Sequence, residues 1–333
     1  MRLKRKFLTA IIAVLLIFTV NTANKTANAN ESCLYVAGIT AGFTVKTEGA
    51  SVIGLSDIVT ENGVISPAKN AEIKIGDIIT RIGNLKIQDA NSVAKALSTC
   101  EGNPVEITVV RNGEEIKKYL TPHLDKDGKY KLGVFLRDDL NGIGTITYFN
   151  EDGSFGALGH PILSENGDLL NLTCGDAYIC SIIGVVKGER GKAGELKGVF
   201  VDDEKIGCIN SNKASGIYGT VDKNYNFKEY PKMEIESAKM GKASILTCID
   251  GVTPCEYSIS IVKVDDQNRE NKNFVIKITD KELLSKTNGI LQGMSGSPII
   301  QDGKIVGAVT HVFINDPTRG FGISIYKMLS NGN

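Results

Sequence analysis

The chain has 333 residues, and its 38 basic and 38 acidic side chains cancel. That balance argues against a nucleic-acid partner, because binding a phosphate backbone takes a basic surface. The length suits about two domains, and 36 glycines without a single tryptophan favour short strands and turns over long helices.

The amino end reads as a targeting segment. Arg2, Lys4, Arg5 and Lys6 precede an apolar run from Phe7 to Val20, and Ala27-Asn28-Ala29 offers a small-x-small cleavage site. The run is short for a spanning helix. Residues 1–29 are therefore expected to export the chain, as a cleaved signal peptide or a retained signal anchor that keeps it near a membrane. Seven cysteines, at 33, 100, 174, 180, 208, 248 and 255, form no C-x-x-C pair, so no structural zinc site is expected. Export permits disulfides. Cys174–Cys180 or Cys248–Cys255 could close small loops, and seven free thiols fit equally well.

Residues 30–122 read as a small α/β module. Ala41-Gly42-Phe43-Thr44-Val45 and Val52-Ile53-Gly54-Leu55 suggest strands, Ser66-Pro67-Ala68 a turn with a short helix, and Gly76-Asp77-Ile78-Ile79 a turn feeding a buried strand. Asp89 can cap a helix running to about Ser98, with Val93 and Leu97 one turn apart on one face. Asn112-Gly113 between two apolar runs is a strong hairpin signal. This order resembles a PDZ domain of the bacterial peptidase type, in which a peptide adds as a strand beside a helix. The resemblance implies Gly42 and Phe43 in the carboxylate-binding loop and Val93 and Leu97 along the groove. The loop lacks the usual Gly-Leu-Gly-Phe form, and the competing reading of Val93 and Leu97 is plain core.

Residues 123–131 are polar and read as a linker. From 132 to 333 the pattern is short strands and glycine turns, the mark of an all-β barrel or sandwich. Lys187 to Gly198 is glycine- and lysine-rich but fails as a phosphate loop, since Ala193 follows Gly191-Lys192. It reads as a solvated loop.

Gly293-Met294-Ser295-Gly296-Ser297-Pro298 carries the chemistry. Glycines on both sides let the backbone lift a serine and aim N–H groups at one point, where Gly293 and Ser295 could hold an oxyanion. Ile299-Ile300, the turn at Asp302-Gly303 and Ile305 to Val309 read as a hairpin. That is the setting of a chymotrypsin-like double barrel, because an α/β-hydrolase needs a helix after its serine. Ser297, directly before Pro298, is the rival nucleophile and better suits a wall. A serine needs a base. Among three histidines His123 lies in the linker, His160 follows Gly159 and precedes Pro161, and His311 ends the strand after Ser295. His160 is favoured, with His311 as alternative base, wall residue or secondary donor. Asp280 is the favoured acid to orient the imidazole, although it also precedes Lys281-Glu282-Leu283-Leu284, a turn that it could cap. Asp250 and Asp316 compete.

Together these residues resemble the SpoIVB peptidases of endospore-forming bacteria. The distinctive runs are Gly156-Ala157-Leu158-Gly159-His160, Ile276-Lys277-Ile278-Thr279-Asp280, the Ser295 loop with Pro298-Ile299-Ile300, and Gly307 to Thr318. The resemblance implies a serine peptidase with catalytic His160, Asp280 and Ser295, and no metal or organic cofactor. It further implies export into the forespore intermembrane space during sporulation, self-cleavage in trans, and cleavage of a membrane-bound regulator. That cut releases an intramembrane protease acting on a mother-cell sigma factor. In the chymotrypsin type acid and nucleophile come from different barrels, whereas Asp280 and Ser295 are near neighbours in sequence, so the role of Asp280 is the less secure. Two other classes remain at this point: an inactive PDZ-based binding or checkpoint protein, and an esterase with the same triad.

Overall fold

In the computed structural model, residues 33–332 are described apart from 164–166, 168, 171 and 269. The expected targeting segment, 1–29, lies outside the described residues. In chain order the main elements are β1 (Cys33–Leu55), α1 (Pro67–Asn70), β2 (Ile78–Ile82), α2 (Ala90–Cys100), β3 (Val105–Arg111) and β4 (Glu114–Leu120). Next come β5 (Val134–Phe149), β6 (Ser154–Ala157), β7 (Leu172–Val186), β8 (Gly194–Lys213) and β9 (Gly216–Val221). The last stretch holds β10 (Gly241–Thr247), β11 (Cys255–Val264), β12 (Phe274–Ile278), α3 (Lys281–Thr287), β13 (Pro298–Gln301), β14 (Lys304–Phe313), β15 (Asp316–Ser324) and α4 (Ile325–Gly332).

The expected double barrel is present. In the first barrel the strand order is β5-β6-β9-β8-β7-β1, and pairing of β1 with β5 closes the ring. In the second, β10-β11-β12-β15-β14-β13 form a closed barrel. Alternating apolar residues explain both. Tyr257, Ile259 and Ile261 of β11 and Phe274, Ile276 and Ile278 of β12 turn inward onto Ile245, Ile299 and Val309. Ile39, Ala41, Phe43 and Val45 of β1 meet Ile146, Phe149, Ile209 and Ile217 in the first barrel. Each large side chain so buried contributes roughly 1.5–3 kcal/mol.

The α/β module is built as its local signals predict. Asp89 caps α2, accepting from the Ser92 N–H at 2.6 Å while the Ser92 hydroxyl accepts from the Asp89 N–H. Asn112 and Gly113 both take positive φ, 54° and 79°, in the β3–β4 turn. Asp77 is fully buried. It accepts from Arg111 Nε at 2.6 Å, Arg111 Nη2 at 2.8 Å and the Lys74 N–H at 2.8 Å.

Two expected boundaries differ from the structure. Residues 33–46 do not belong to the α/β module alone: Phe43 pairs with Gly142 of β5 and Ala177 of β7, and Val45 with Leu140. β1 therefore serves the first barrel along its first half and the module at its end, where Ala50 and Ser51 pair with β2. Only long-range pairing creates this, and local composition does not carry it. The linker 123–131 contains a small paired ribbon, His123–Leu124 with Tyr130–Lys131. None of the seven cysteines is in a disulfide, and Cys180 and Cys248 are buried.

Replacing Asp77 by Ala strands the Arg111 guanidinium and the Lys74 N–H. The expected cost to the module is about 3–5 kcal/mol, read as a lowered denaturant midpoint for a probe placed in the module, with the barrel transition unmoved.

Candidate active site

Between the short strand Leu291–Gln292 and β13, the second barrel presents a tight turn over 293–297. Gly293 and Gly296 take φ of 101° and 94°, a region that glycine enters without Cβ strain. A Cβ on Gly296 would stand 2.1 Å from the Thr145 carbonyl oxygen and 2.6 Å from the Leu158 nitrogen. The first barrel clamps this turn. Thr145 Oγ1 donates to the Gly293 carbonyl at 3.0 Å, and Thr147 Oγ1 donates to the Gly296 carbonyl at 2.7 Å. The Thr145 N–H donates to the Ser295 carbonyl at 2.9 Å, and the Gly296 N–H to Val309 at 2.8 Å. Both threonines are fully buried, so no water competes for these bonds.

Ser295 is half-buried and opens onto a cavity of about 550 Å³ between the barrels. Phe43, Leu140, Ile143, His160, Ile162, Gly293, Thr310 and His311 share its wall, and among the described residues no Asp, Glu, Lys or Arg does. Among the described residues nothing accepts from the Gly293 or Ser295 N–H. The two predicted oxyanion donors are thus available beside the serine. Ser297 is fully buried and does not reach the cavity, and its N–H donates to Met294 at 3.0 Å.

His160 arrives from the first barrel. After β6, Leu158 and Gly159 take positive φ of 67° and 70° and turn the ring toward the cavity. His160 Nδ1 lies 2.9 Å from the Pro161 carbonyl oxygen. A carbonyl only accepts, so the bond places the proton on Nδ1 and leaves the Nε2 lone pair free, the form a general base requires. The His311 ring, from β14, lies 4.8 Å from that of His160 at 39°. Burial lowers the pKa of His160 below its ordinary value, opposed by the Pro161 bond. Desolvation first, then the neighbouring His160 and Lys272, push His311 down to about 4. Both rings are neutral at pH 7. No carboxylate is among the groups that shift either ring. Ser295 Oγ donates to the Thr310 carbonyl at 2.6 Å, so the serine proton rests on the backbone beside His311 rather than on an imidazole.

Asp280 is not brought to this cavity. Its Oδ1 accepts from the Leu283 N–H at 2.9 Å and its Oδ2 from the Ser258 N–H at 3.4 Å. It is the N-cap of α3, and a carboxylate spent on orphan helix N–H groups is held away from the imidazole. Asp316 accepts from Thr318 Oγ1 at 2.6 Å, and neither it nor Asp250 lines the cavity. The orienting acceptor in the structure is the Pro161 carbonyl, which sequence reasoning missed because any residue can supply a carbonyl. Thr145 and Thr147 were missed too. Their one signal is two threonines at strand spacing, which looks like ordinary β-propensity.

Gly42 and Phe43 are not in a carboxylate-binding loop. They lie mid-strand in β1, where a Cβ on Gly42 would stand 2.2 Å from the Phe200 ring, and Phe43 is a wall of the Ser295 cavity. Val93 and Leu97 do face inward on α2, each 3% exposed.

Comparison with known proteins gives the family and the domains. The family model of SpoIVB peptidase S55 matches residues 128–329, and a PDZ domain model matches residues 42–119. A Clostridium perfringens protein named as a zinc metalloprotease is 32% identical over 69 residues, 21% of each chain. Another so named, from Lactococcus lactis, is 27% identical over 100 residues, 30% of this chain and 23% of its own. The chain thus spans about a fifth of the length of these curated relatives. Zinc belongs to their names; among the described residues no three His, Cys, Asp or Glu side chains gather as a ligand set. The inactive form of the Rv3671c protease of M. tuberculosis superposes with a TM-score of 0.34 at 14% identity, covering 56% of this chain and 81% of that one. The HtrA-type protease AlgW with a decapeptide gives 0.32 at 10% identity, covering 90% and 66%.

The placement of Asp280 yields a test. Asp280→Ala is expected to lower stability by about 1 kcal/mol through the lost cap, and Asp280→Ser, which can cap, to keep most activity. A fall in kcat of about 10⁴ in a folded Asp280→Ser protein, the scale for spoiling a triad acid, would return the carboxylate to the imidazole.

Proposed function

The chain belongs to the SpoIVB peptidase S55 family and is a serine endopeptidase carrying a PDZ domain, and from that premise we propose that Ser295 is its nucleophile and His160 its general base. The observation that carries the assignment is the single cavity in which Ser295, the unpartnered Gly293 and Ser295 N–H groups and His160 converge from two barrels.

The steps follow from the geometry. Ser295 Oγ leaves the Thr310 carbonyl, passes its proton to His160 Nε2 and bonds to the scissile carbonyl carbon. The two N–H groups take the oxyanion. The His160 imidazolium then returns the proton to the leaving amine, and the C–N bond breaks. Water hydrolyses the acyl-enzyme by the same route, with His160 again taking and returning the proton. The Pro161 carbonyl fixes the tautomer and ring direction, but it offers the imidazolium a dipole and not a full charge. A wall that is mostly apolar among the described residues suits an apolar residue beside the scissile bond.

The finer reading is that this is an exported enzyme of sporulation, acting between the two forespore membranes. It would cleave itself in trans and cut a membrane-bound regulator, which releases an intramembrane protease for a mother-cell sigma factor. Family membership and the composition of residues 1–29 support it. Incubating the purified enzyme with the detergent-solubilised regulator tests it: specific cleavage by the wild type and none by Ser295→Ala is expected, and an intact regulator with both would count against it.

For the chemistry, a fluorophosphonate probe is expected to label wild type at Ser295 and leave Ser295→Ala unlabelled, whereas retained labelling would move the nucleophile. Protonated His160 cannot accept the serine proton, and burial lowers its pKa. Activity should therefore fall with falling pH only below 6.5, the ordinary histidine value. An acid limb in kcat/KM centred above 6.5 would contradict the desolvated base.

A further inference from the structure

A PDZ domain binds by adding a strand to a sheet edge beside a helix. In this chain that place lies between the end of β1 and α2, and it is taken. The first residues of β5 pair antiparallel with β1: Ser51 with Arg137, Val52 with Leu136, Gly54 with Phe135 and Leu55 with Val134. β2 holds the opposite edge of β1 through Ala50 and Ser51. Side chains alternate as in a bound peptide. Leu132, Val134 and Leu136 pack into the cluster containing Val93, Ala96 and Leu97 of α2, while Phe135 points outward, 59% exposed.

The backbone is bound as well. The Ala68 N–H donates to the Leu132 carbonyl at 3.0 Å, and the Ser56 N–H to the Gly133 carbonyl at 2.9 Å. Gly133 sits at φ 81°, and a Cβ there would stand 2.6 Å from the Ser56 carbonyl oxygen. A larger residue would push the segment out. Beyond Arg137 the strand stays paired with β1 as far as Phe149 opposite Tyr35, so the ligand here is internal chain and not a free carboxyl terminus.

We propose that the PDZ groove of this protein is occupied by its own residues 132–137 as a tethered ligand, and that an extended apolar segment from another chain enters only by displacing the start of β5. The second half rests on the Ser295 reading. β5 runs on from the groove to Leu140 and Ile143 in the cavity wall and to Thr145 and Thr147 on the nucleophile turn. Displacing its start loosens the clamp, so occupancy of the groove in trans lowers the reactivity of Ser295.

A fluorescent peptide of residues 130–138, titrated into the full chain and followed by anisotropy, tests the occupancy. A tethered ligand acts at an effective concentration on the order of mM, so Gly133→Val with Leu136→Asp should bind the peptide ~100-fold tighter than wild type. Adding Val93→Asp should abolish that gain. In wild type the amides of 134–137 should exchange as slowly as those of the barrel core, a reading that survives if the variant misfolds. Equal binding by wild type and variant, or exchange at 134–137 as fast as at exposed turns, would overturn the proposal. Fluorophosphonate labelling of wild type is read in the same samples. A several-fold slower rate at saturating peptide supports the coupling, and an unchanged rate rejects it. No labelling even without peptide would instead sink the peptidase reading, while binding and exchange still report on the groove.

Discussion

One strand of the first barrel fixes the turn that carries the nucleophile of the second. Thr145 and Thr147 lend two hydroxyls and one peptide N–H to carbonyls of the 293–296 turn. With those carbonyls bonded to the first barrel, Gly293 and Ser295 line the cavity with N–H groups that no acceptor takes among the described residues. The turn needs positive φ at two glycines, and its backbone groups could satisfy themselves in other ways. Three dry hydrogen bonds choose one of them, since an unpaired buried carbonyl costs roughly 1–3 kcal/mol. His160 is placed from the same barrel, three residues beyond β6, so the two reacting side chains hold their relation only while the barrels stay docked.

The base is oriented with little charge. In a serine-histidine-aspartate site the acid fixes the tautomer and also stabilises the imidazolium. Here the Pro161 carbonyl does the first, burial lowers the pKa of both rings, and His160 lowers that of His311 further. His311 contributes a tilted ring beside that of His160, and its preceding carbonyl, that of Thr310, holds the serine proton at rest. This is a site poised to need substrate: attack requires the serine to leave the backbone carbonyl and turn to the imidazole.

Much of this was legible in the sequence where the cause is local. The Asp89 cap, the Asn112-Gly113 and Asp302-Gly303 turns and the glycine-flanked Ser295 depend on a few adjacent residues. Short strands and glycine turns after 132 declared the all-β domain, and the hairpin after Ser295 pointed to the double barrel. What local pattern does not contain is pairing across the chain. β1 looked like part of the small module, yet most of it closes the first barrel, and Phe43 faces the catalytic cavity. Val93 and Leu97 read as either groove or core, and they are buried in a cluster that also takes in Leu132 and packs against Val134 and Leu136. Asp280 carried two signals, a strand-end acid and a cap before a helical turn, and the cap won because the Leu283 N–H lies within the same turn.

The most direct test of the clamp is the rate of fluorophosphonate labelling of Ser295 in the double variant Thr145→Val, Thr147→Val, which keeps side-chain volume and removes both hydroxyls. The account predicts that labelling falls by about 10²-fold or more, the scale of losing an oxyanion donor, in a protein that still melts cooperatively. Labelling at the wild-type rate in the folded double variant would contradict it, and would place the ordering of the nucleophile turn within the second barrel alone.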